Sequence, residues 1–174
     1  MKEVELVPYS ENWPKYFDLI ERELLAVFNQ DTIQVQHVGS TSIPNLVAKP
    51  VIDIVLGADS LAVVENQISN LTQLNYQYIS KYERDLPMRR YFVKAAGDLP
   101  RIHLHCVVLN SQIWQEHILF RDALRADNTL LDQYRTLKTE LAIRFANDKS
   151  AYTLAKAPFI ESIIRSPQGM SRGV

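Results

Sequence analysis

The sequence predicts an α+β fold: a mixed sheet with helices packed on one face, followed by a helical C-terminal third. Three observations carry this. First, Trp13, Tyr16, Phe17, Ile20, Leu24 and Val27 recur at helical spacing over 12–29, with Asn12 as a cap and Pro14 in the first turn. Second, five short apolar segments at 33–38, 51–57, 76–82, 89–95 and 101–109 read as strands, and Gly97-Asp98-Leu99-Pro100 supplies the turn between the last two. Third, everything after Ser111 has helical periodicity, in segments 114–126, 130–147 and 150–164, with Ser111, Asn128 and Ser150 as starts. One further helix runs from Ser60 to about Leu71, with Leu61, Val64, Ile68 and Leu71 on one side.

A chain of 174 residues is most simply one domain, here 1–166, able to bury roughly 70% of its unfolded surface; residues 167–174 read as a frayed tail. Net charge is -1, which gives no electrostatic basis for wrapping a long nucleic acid. With 47% hydrophobic residues and 5 glycines the chain is not a disordered or low-complexity one. The opening Met-Lys-Glu-Val-Glu-Leu-Val-Pro lacks a signal peptide's apolar core, and no segment approaches the ~20 apolar residues of a membrane span. The single cysteine, Cys106, excludes an internal disulfide and suits a reducing cytoplasm, the expected location. Zinc-type Cys-x-x-Cys pairs, a P-loop and a dinucleotide fingerprint are all missing. The oligomeric state is left open.

The chemistry concentrates in residues 37–53, His-Val-Gly-Ser-Thr-Ser-Ile-Pro-Asn-Leu-Val-Ala-Lys-Pro-Val-Ile-Asp. Between two strands, the small-residue loop Gly39, Ser40, Thr41, Ser42 can approach a phosphate closely, because glycine has no Cβ and the amides form an anion-binding concavity. Asp53 on the following strand is placed to hold a divalent cation bridging such phosphates. A plain turn with surface hydroxyls shares the pattern. Lys49 is held extended by Pro50 and reads as a phosphate contact or a solvated loop lysine.

Strand alternation places Arg101, His103 and His105 on one face and Ile102, Leu104, Cys106 and Val108 on the other. A polar face carrying Asp53 and the His-x-His pair would then line a cleft. On 89–95 the parity assigned to that cleft is Arg90, Phe92 and Lys94, which adds two cations for an anionic ligand; the other parity groups Arg89, Tyr91 and Val93. Arg121 and Arg125, four apart, share a helix face and suit a polyanion or an ion pair with Glu116 or Asp127. Tyr134 and Lys138 repeat that spacing, Lys156 is a weaker candidate, and His117 has no motif around it. His37 fits a role in orienting the loop. Trp114, Phe120, Leu124, Leu137, Leu141 and Phe145 read as core.

These residues resemble the signature of the GrpB family: His37-Val38-Gly39-Ser40-Thr41-Ser42-Ile43-Pro44, then Ala48 to Ile54, Arg101 to Val108, Phe120 to Arg125, Tyr134 to Lys138, and Tyr152 and Lys156 before Pro158-Phe159-Ile160. The resemblance covers nearly the whole chain in order. It implies a nucleotidyltransferase-like mixed sheet. In active members of that superfamily a Gly-Ser turn holds a nucleoside triphosphate, while an Asp-x-Asp pair and a third acid on a later strand bind two metal ions. Gly39-Ser40 and Asp53 match the start of this pattern. Val55 stands where the second acid belongs, and His103 and His105 take the place of the third. Asn45 departs from an expected glycine after the proline. One Asp and two His are a poor cage for two Mg²⁺ ions, and suit one divalent metal (Mg, Mn or Zn) held by Asp53, His103 and His105, or no metal and acid-base work by histidine.

The expected function is therefore binding of a small phosphorylated ligand, a nucleotide or a coenzyme precursor, with transfer of a nucleotidyl or phosphoryl group to a small acceptor. Asp53, His103 and His105 would be the catalytic residues. Gly39 to Ser42, Lys49, Arg90, Lys94, Arg121, Arg125 and Lys138 would hold the phosphates. The missing acid keeps two alternatives open: a non-catalytic binding module linked to coenzyme A metabolism, since domains of this family also occur fused to dephospho-coenzyme A kinases, or an interaction domain with a vestigial cleft.

Overall fold

The computed structural model describes residues 4–28 and 32–166; the tail expected at 167–174 lies outside the described residues. The elements are α1 (Asn12–Val27), β1 (Ile33–Val38), β2 (Val51–Ala58), α2 (Leu61–Glu65), α3 (Ile68–Gln73), β3 (Tyr76–Tyr78), β4 (Arg89–Lys94), β5 (Arg101–Val108), α4 (Gln112–Ala126), α5 (Asn128–Arg144), α6 (Lys149–Ala155) and α7 (Ala157–Ile164). Short 3₁₀ turns sit at Ser40–Ser42 and Ser80–Tyr82. The architecture is α+β, as the periodicities imply.

The strands form one sheet in the order β1-β2-β5-β4-β3, with β2 and β5 parallel and the other neighbours antiparallel. One face is apolar. Ile52, Ile54 and Leu56 of β2, Ile102, Leu104 and Cys106 of β5 and Phe92 of β4 pack there against Trp13, Ile20 and Leu24 of α1, Val64 of α2 and Leu71 of α3. On the opposite face α4 covers one end, burying Trp114 against Val38, Val55 and Val107. Gly57 makes this possible, because a Cβ there would come within 2.8 Å of the Trp114 ring. The rest of that face is free for Asp53 and His103.

Several boundaries differ from the sequence pattern. The helix expected over 60–71 is two short helices meeting at Asn66-Gln67. The strand expected over 76–82 ends at Tyr78, and its second half is a 3₁₀ turn. The helix expected over 150–164 breaks at Lys156, because Pro158 sits in the first turn of α7 and cannot continue α6. Ser111 caps α4 as expected, accepting from the Trp114 amide, but α5 is capped by Asp127 and α6 by Asp148 in place of Asn128 and Ser150.

The larger correction concerns β4. Tyr91 pairs with His105 and Val93 with His103, so Arg89, Tyr91 and Val93 face the cleft. Arg90 and Lys94 point to the helical side, against the expectation. Arg90 binds Glu65 of α2 at 2.6 and 2.8 Å, and Lys94 binds Glu23 of α1 at 2.8 Å. The reason is Phe92: the apolar face needs its ring, and the two cations flank it at the sheet margin with carboxylates from the covering helices.

The C-terminal helices are tied to the sheet by Arg121, which is buried and donates to Gln36 Oε1 at 2.8 Å and to the His37 carbonyl at 3.1 Å. Arg121→Met leaves that carbonyl without its donor. We expect a loss of about 1–3 kcal/mol in urea unfolding, the cost of an unpaired buried polar group.

Candidate functional site

The site is built where β1 ends and β2 begins. Gly39 adopts φ +67°, and a Cβ there would lie 2.5 Å from Asp53 Oδ2, so backbone conformation and close approach both demand glycine. Directly across the parallel pair, His103 sits opposite Asp53. Its Nδ1 lies 3.2 Å from Asp53 Oδ1, while Arg101 Nε lies 3.3 Å from its Nε2. A guanidinium N–H only donates, so Nε2 accepts, and Nδ1–H donates to the carboxylate. Burial pushes the Asp53 carboxyl up, but the His103 hydrogen bond and the nearby His103, His105 and Lys156 charges outweigh it and hold its pKa below the ordinary value.

The loop hydroxyls divide. Gly39 and Ser40 are partly accessible; Thr41 and Ser42 are buried and committed to the protein. Thr41 Oγ1 donates to the Val51 carbonyl at 2.9 Å and accepts from His37 Nε2 at 3.0 Å, and Ser42 Oγ donates to the Gly39 carbonyl at 2.6 Å. These two hydroxyls shape the turn and do not face a ligand, a correction to the expected phosphate contacts. His37 stacks on Phe17 at 5.1 Å, and burial pushes its pKa down to about 4, so it works as a neutral strut.

Arg121 and Arg125 are corrected in the same sense. Arg121 is spent on β1 and on Asp122, and Arg125 donates to the Ser42 carbonyl from Nε at 3.0 Å and Nη2 at 2.7 Å. Because the loop carbonyls lack strand partners, the helix supplies cationic donors to them, which removes both forks from the ligand side. Arg135 continues the series at the Asn45 carbonyl (3.0 Å), and Lys138 at the Val47 carbonyl.

The cations that do converge are lysines. Lys138 is 1% exposed, and Lys49 and Lys156 are half-buried, with ammonium groups 4.3 and 4.5 Å from the Tyr152 ring centroid. Among the described residues none of the three makes an ion pair. Burial lowers all three pKa values, and repulsion from Lys156 and Lys49 adds to it at Lys138, from Lys49 at Lys156 and from Lys149 at Lys49. Lys138 falls to about 7 and Lys156 to about 8, and Asp53 is the carboxylate that opposes this at each lysine. Sequence spacing undervalued Lys156. Its partners lie on the distant Lys49 loop and on α5, and only Tyr152 at i−4 hints at the cluster.

A family model for GrpB protein matches residues 3–166. The chain belongs to the GrpB family. Among its relatives is glutamate-rich protein GrpB of Alkalihalophilus pseudofirmus, 36% identical over 93% of this chain and 94% of that one. A dephospho-CoA kinase of Mycolicibacterium paratuberculosis is 29% identical, with 93% of this chain covering 45% of the kinase. The crystal structure of GrpB from Enterococcus faecalis superposes with TM-score 0.81 at 30% identity, covering 91% of this chain and 94% of the other. The Cid1 poly(U) polymerase, as an H336N mutant bound to MgATP, matches at TM-score 0.58 and 10% identity over 85% of this chain and 50% of its own. That distance shows the fold alone: the GrpB chain has a nucleotidyltransferase-like architecture.

The residues present do not fit the metal arrangement expected from that architecture. Val55 is buried under α4, so no second acid stands beside Asp53. His103 shares the face with Asp53 but is bonded to it directly, and His105 Nδ1 lies 3.2 Å from the Arg89 guanidinium, a cation where a metal would need an open ligand. Among the described residues no group of three or more His, Cys, Asp and Glu side chains is disposed to hold a metal ion. No described helix is long and apolar enough to cross a membrane.

The lysine cluster has a pH signature. Folded pKa values of about 7 and 8 lie below the ordinary 10.5, so between these limits the unfolded chain binds more protons than the folded one. Stability therefore rises as pH goes from 7 to 9 and falls as pH drops through 7. Urea midpoints across that range should climb in the wild type and climb less steeply in Lys138→Met.

Proposed function

We propose that this GrpB protein binds the phosphates of a nucleotide, or of a related phosphorylated metabolite, between the Gly39-Ser40 turn and the ammonium groups of Lys49 and Lys156, with Lys138, held on the Val47 carbonyl, adding its charge from behind. The observation that carries the reading is the lysine cluster itself. Three cations are kept together, half-buried or buried, with a single shared carboxylate, at a cost visible in their lowered pKa values. A polyanion offsets that cost, since it neutralises mutual repulsion and restores the protonated form of each lysine. Tyr152 supplies a ring that holds two of the ammoniums in place without neutralising them. The relationship to a dephospho-CoA kinase supports a coenzyme precursor as one ligand to try beside nucleotides.

Binding takes up protons on this reading, so affinity should fall as pH rises through 7 to 9. Calorimetric titration with ATP, in EDTA and with Mg²⁺, tests it. We expect saturable binding that Lys156→Met weakens at least tenfold, or about 1.4 kcal/mol, while Arg90→Gln, on the far face, leaves it unchanged. Lack of saturable binding by ATP, dephospho-coenzyme A and inorganic tripolyphosphate alike overturns the proposal.

The His103–Asp53 pair favours a second reading, group transfer. Asp53 holds the imidazole with its proton on Nδ1, which leaves the Nε2 lone pair to take the proton of an acceptor hydroxyl once the Arg101 contact yields. The acceptor oxygen would form the new bond to phosphorus as the bond to the leaving pyrophosphate breaks. Asp53→Ala should then abolish pyrophosphate release from ATP in the presence of a hydroxyl acceptor while the protein stays folded; unchanged release rules out this role for Asp53.

A further inference from the structure

At the other end of the polar sheet face lies an arginine with no acid. Arg89 is half-buried on β4; its Nη1 lies 3.2 Å from His105 Nδ1, and its guanidinium lies 5.0 Å from the Tyr91 ring centroid. Its Nε is buried and has no hydrogen-bond partner. Among the described residues Arg89 forms no ion pair, whereas Arg90, Arg121 and Arg135 each have a carboxylate. Burial lowers its pKa, and the groups opposing that are phenols, Tyr91 and Tyr82.

The rings around it are those of Tyr91, His105, His117 and Tyr82, with Asp53 and, at His117, Glu116 as the carboxylates that act on the first three. The Tyr91 ring lies 5.0 Å from His105, His117 of α4 lies 5.3 Å from His105, and Tyr82 meets Tyr91 edge-on at 5.8 Å. His105 Nδ1 accepts from Arg89, so its Nε2 carries the proton and is a donor. With Nη1 engaged, the Nε side of the guanidinium is the edge that receives a carboxylate or phosphate in a two-point hydrogen bond. A buried donor left unmade is costly in a folded protein, and here it belongs to a cation facing the cleft side.

Position separates this group from the lysine cluster. Arg89 pairs with Val107 and Asp53 with His103, four residues apart on β5, or ~13 Å at the usual strand rise. Asp53 and His103 stand toward the lysine end.

We infer that Arg89, with Tyr91, His105 and His117, forms a second oxyanion subsite that receives the carboxylate or phosphate group of a second small molecule. Only its place as an acceptor site rests on the phosphate-binding reading above; the subsite itself stands on Arg89. An acid bound there, with its body along Tyr91, extends toward His103 and the phosphates of the first ligand.

The test uses the Nε–H resonances of the ¹⁵N-labelled full chain, with the Arg89 signal assigned by its loss in Arg89→Lys. Malonate and inorganic phosphate are the probes, added to the wild type and to Lys49→Met/Lys156→Met, in which the lysine cluster is disabled. We expect either anion to move the Arg89 Nε–H resonance saturably in both proteins. By calorimetry, the malonate affinity of the Lys49→Met/Lys156→Met protein should fall at least tenfold when Arg89→Lys, which keeps the charge but lacks the fork, is added. A resonance that neither anion moves saturably, or equal affinity with and without Arg89→Lys in a protein of unchanged melting temperature, overturns the inference. Failure of ATP to bind while malonate still titrates Arg89 removes the nucleotide reading alone. Normal ATP binding with a silent Arg89 removes the subsite alone.

Discussion

The rest of the site depends on how the backbone carbonyls between β1 and β2 are satisfied. Residues 39–50 carry little regular structure, so their carbonyl groups need donors from elsewhere. Helices α4 and α5 provide them: Arg125 to Ser42, Arg135 to Asn45 and Lys138 to Val47, while Arg121 holds the His37 carbonyl near the end of β1. Charged donors make stronger hydrogen bonds than neutral ones, and three in series hold the loop along its length, with Arg121 fixing the strand that enters it. Gly39 is thereby kept against Asp53, and Lys49 beside Tyr152. The helical third is a buttress for the loop and a source of the pocket's charge.

This arrangement works against stability where it serves binding. The lysines repel one another and are partly desolvated, and the Arg89 Nε has no partner. A fold selected for stability alone would place methionine or leucine at such positions. The surrounding framework tolerates them because the other face of the sheet is a continuous apolar core, from Trp13 through Ile54 and Leu104 to Leu71. The polar face accordingly carries strain while the apolar face carries stability.

Much of the fold was legible in residue order. The five strands and the first helix follow from period and the start of α4 from its Ser111 cap, though α1 has Glu11 and not Asn12 at its N-cap; His103 and His105 share a face with Asp53 because alternation is a backbone property. The parity of β4 was not legible: Arg90-Phe92-Lys94 and Arg89-Tyr91-Val93 each mix cations with rings, and only pairing with β5 decides between them. Nor could a sequence show that Thr41, Ser42, Arg121 and Arg125 spend their polar atoms on the backbone, since hydroxyls and guanidiniums bond a carbonyl and a ligand equally well. His117 lacked a local signal because its ring partner His105 lies on a different element, and Lys156 had only Tyr152 at i−4, its charged partners being far away in the chain.

By itself the sequence determined what depends on near neighbours: the elements, the glycine turn before an aspartate strand, the absence of a second acid at Val55, and membership of a family through motifs in order. Tertiary structure decided what depends on which distant groups meet. It turned Arg90 and Lys94 away from the cleft, made Arg121 and Arg125 clamps, gathered Lys49 and Lys156 on Tyr152 with Lys138 nearby and left Arg89 without an acid. The reason is that burial and charge pairing are properties of three-dimensional surroundings, and the same side chain is a strut or a ligand contact according to what packs against it.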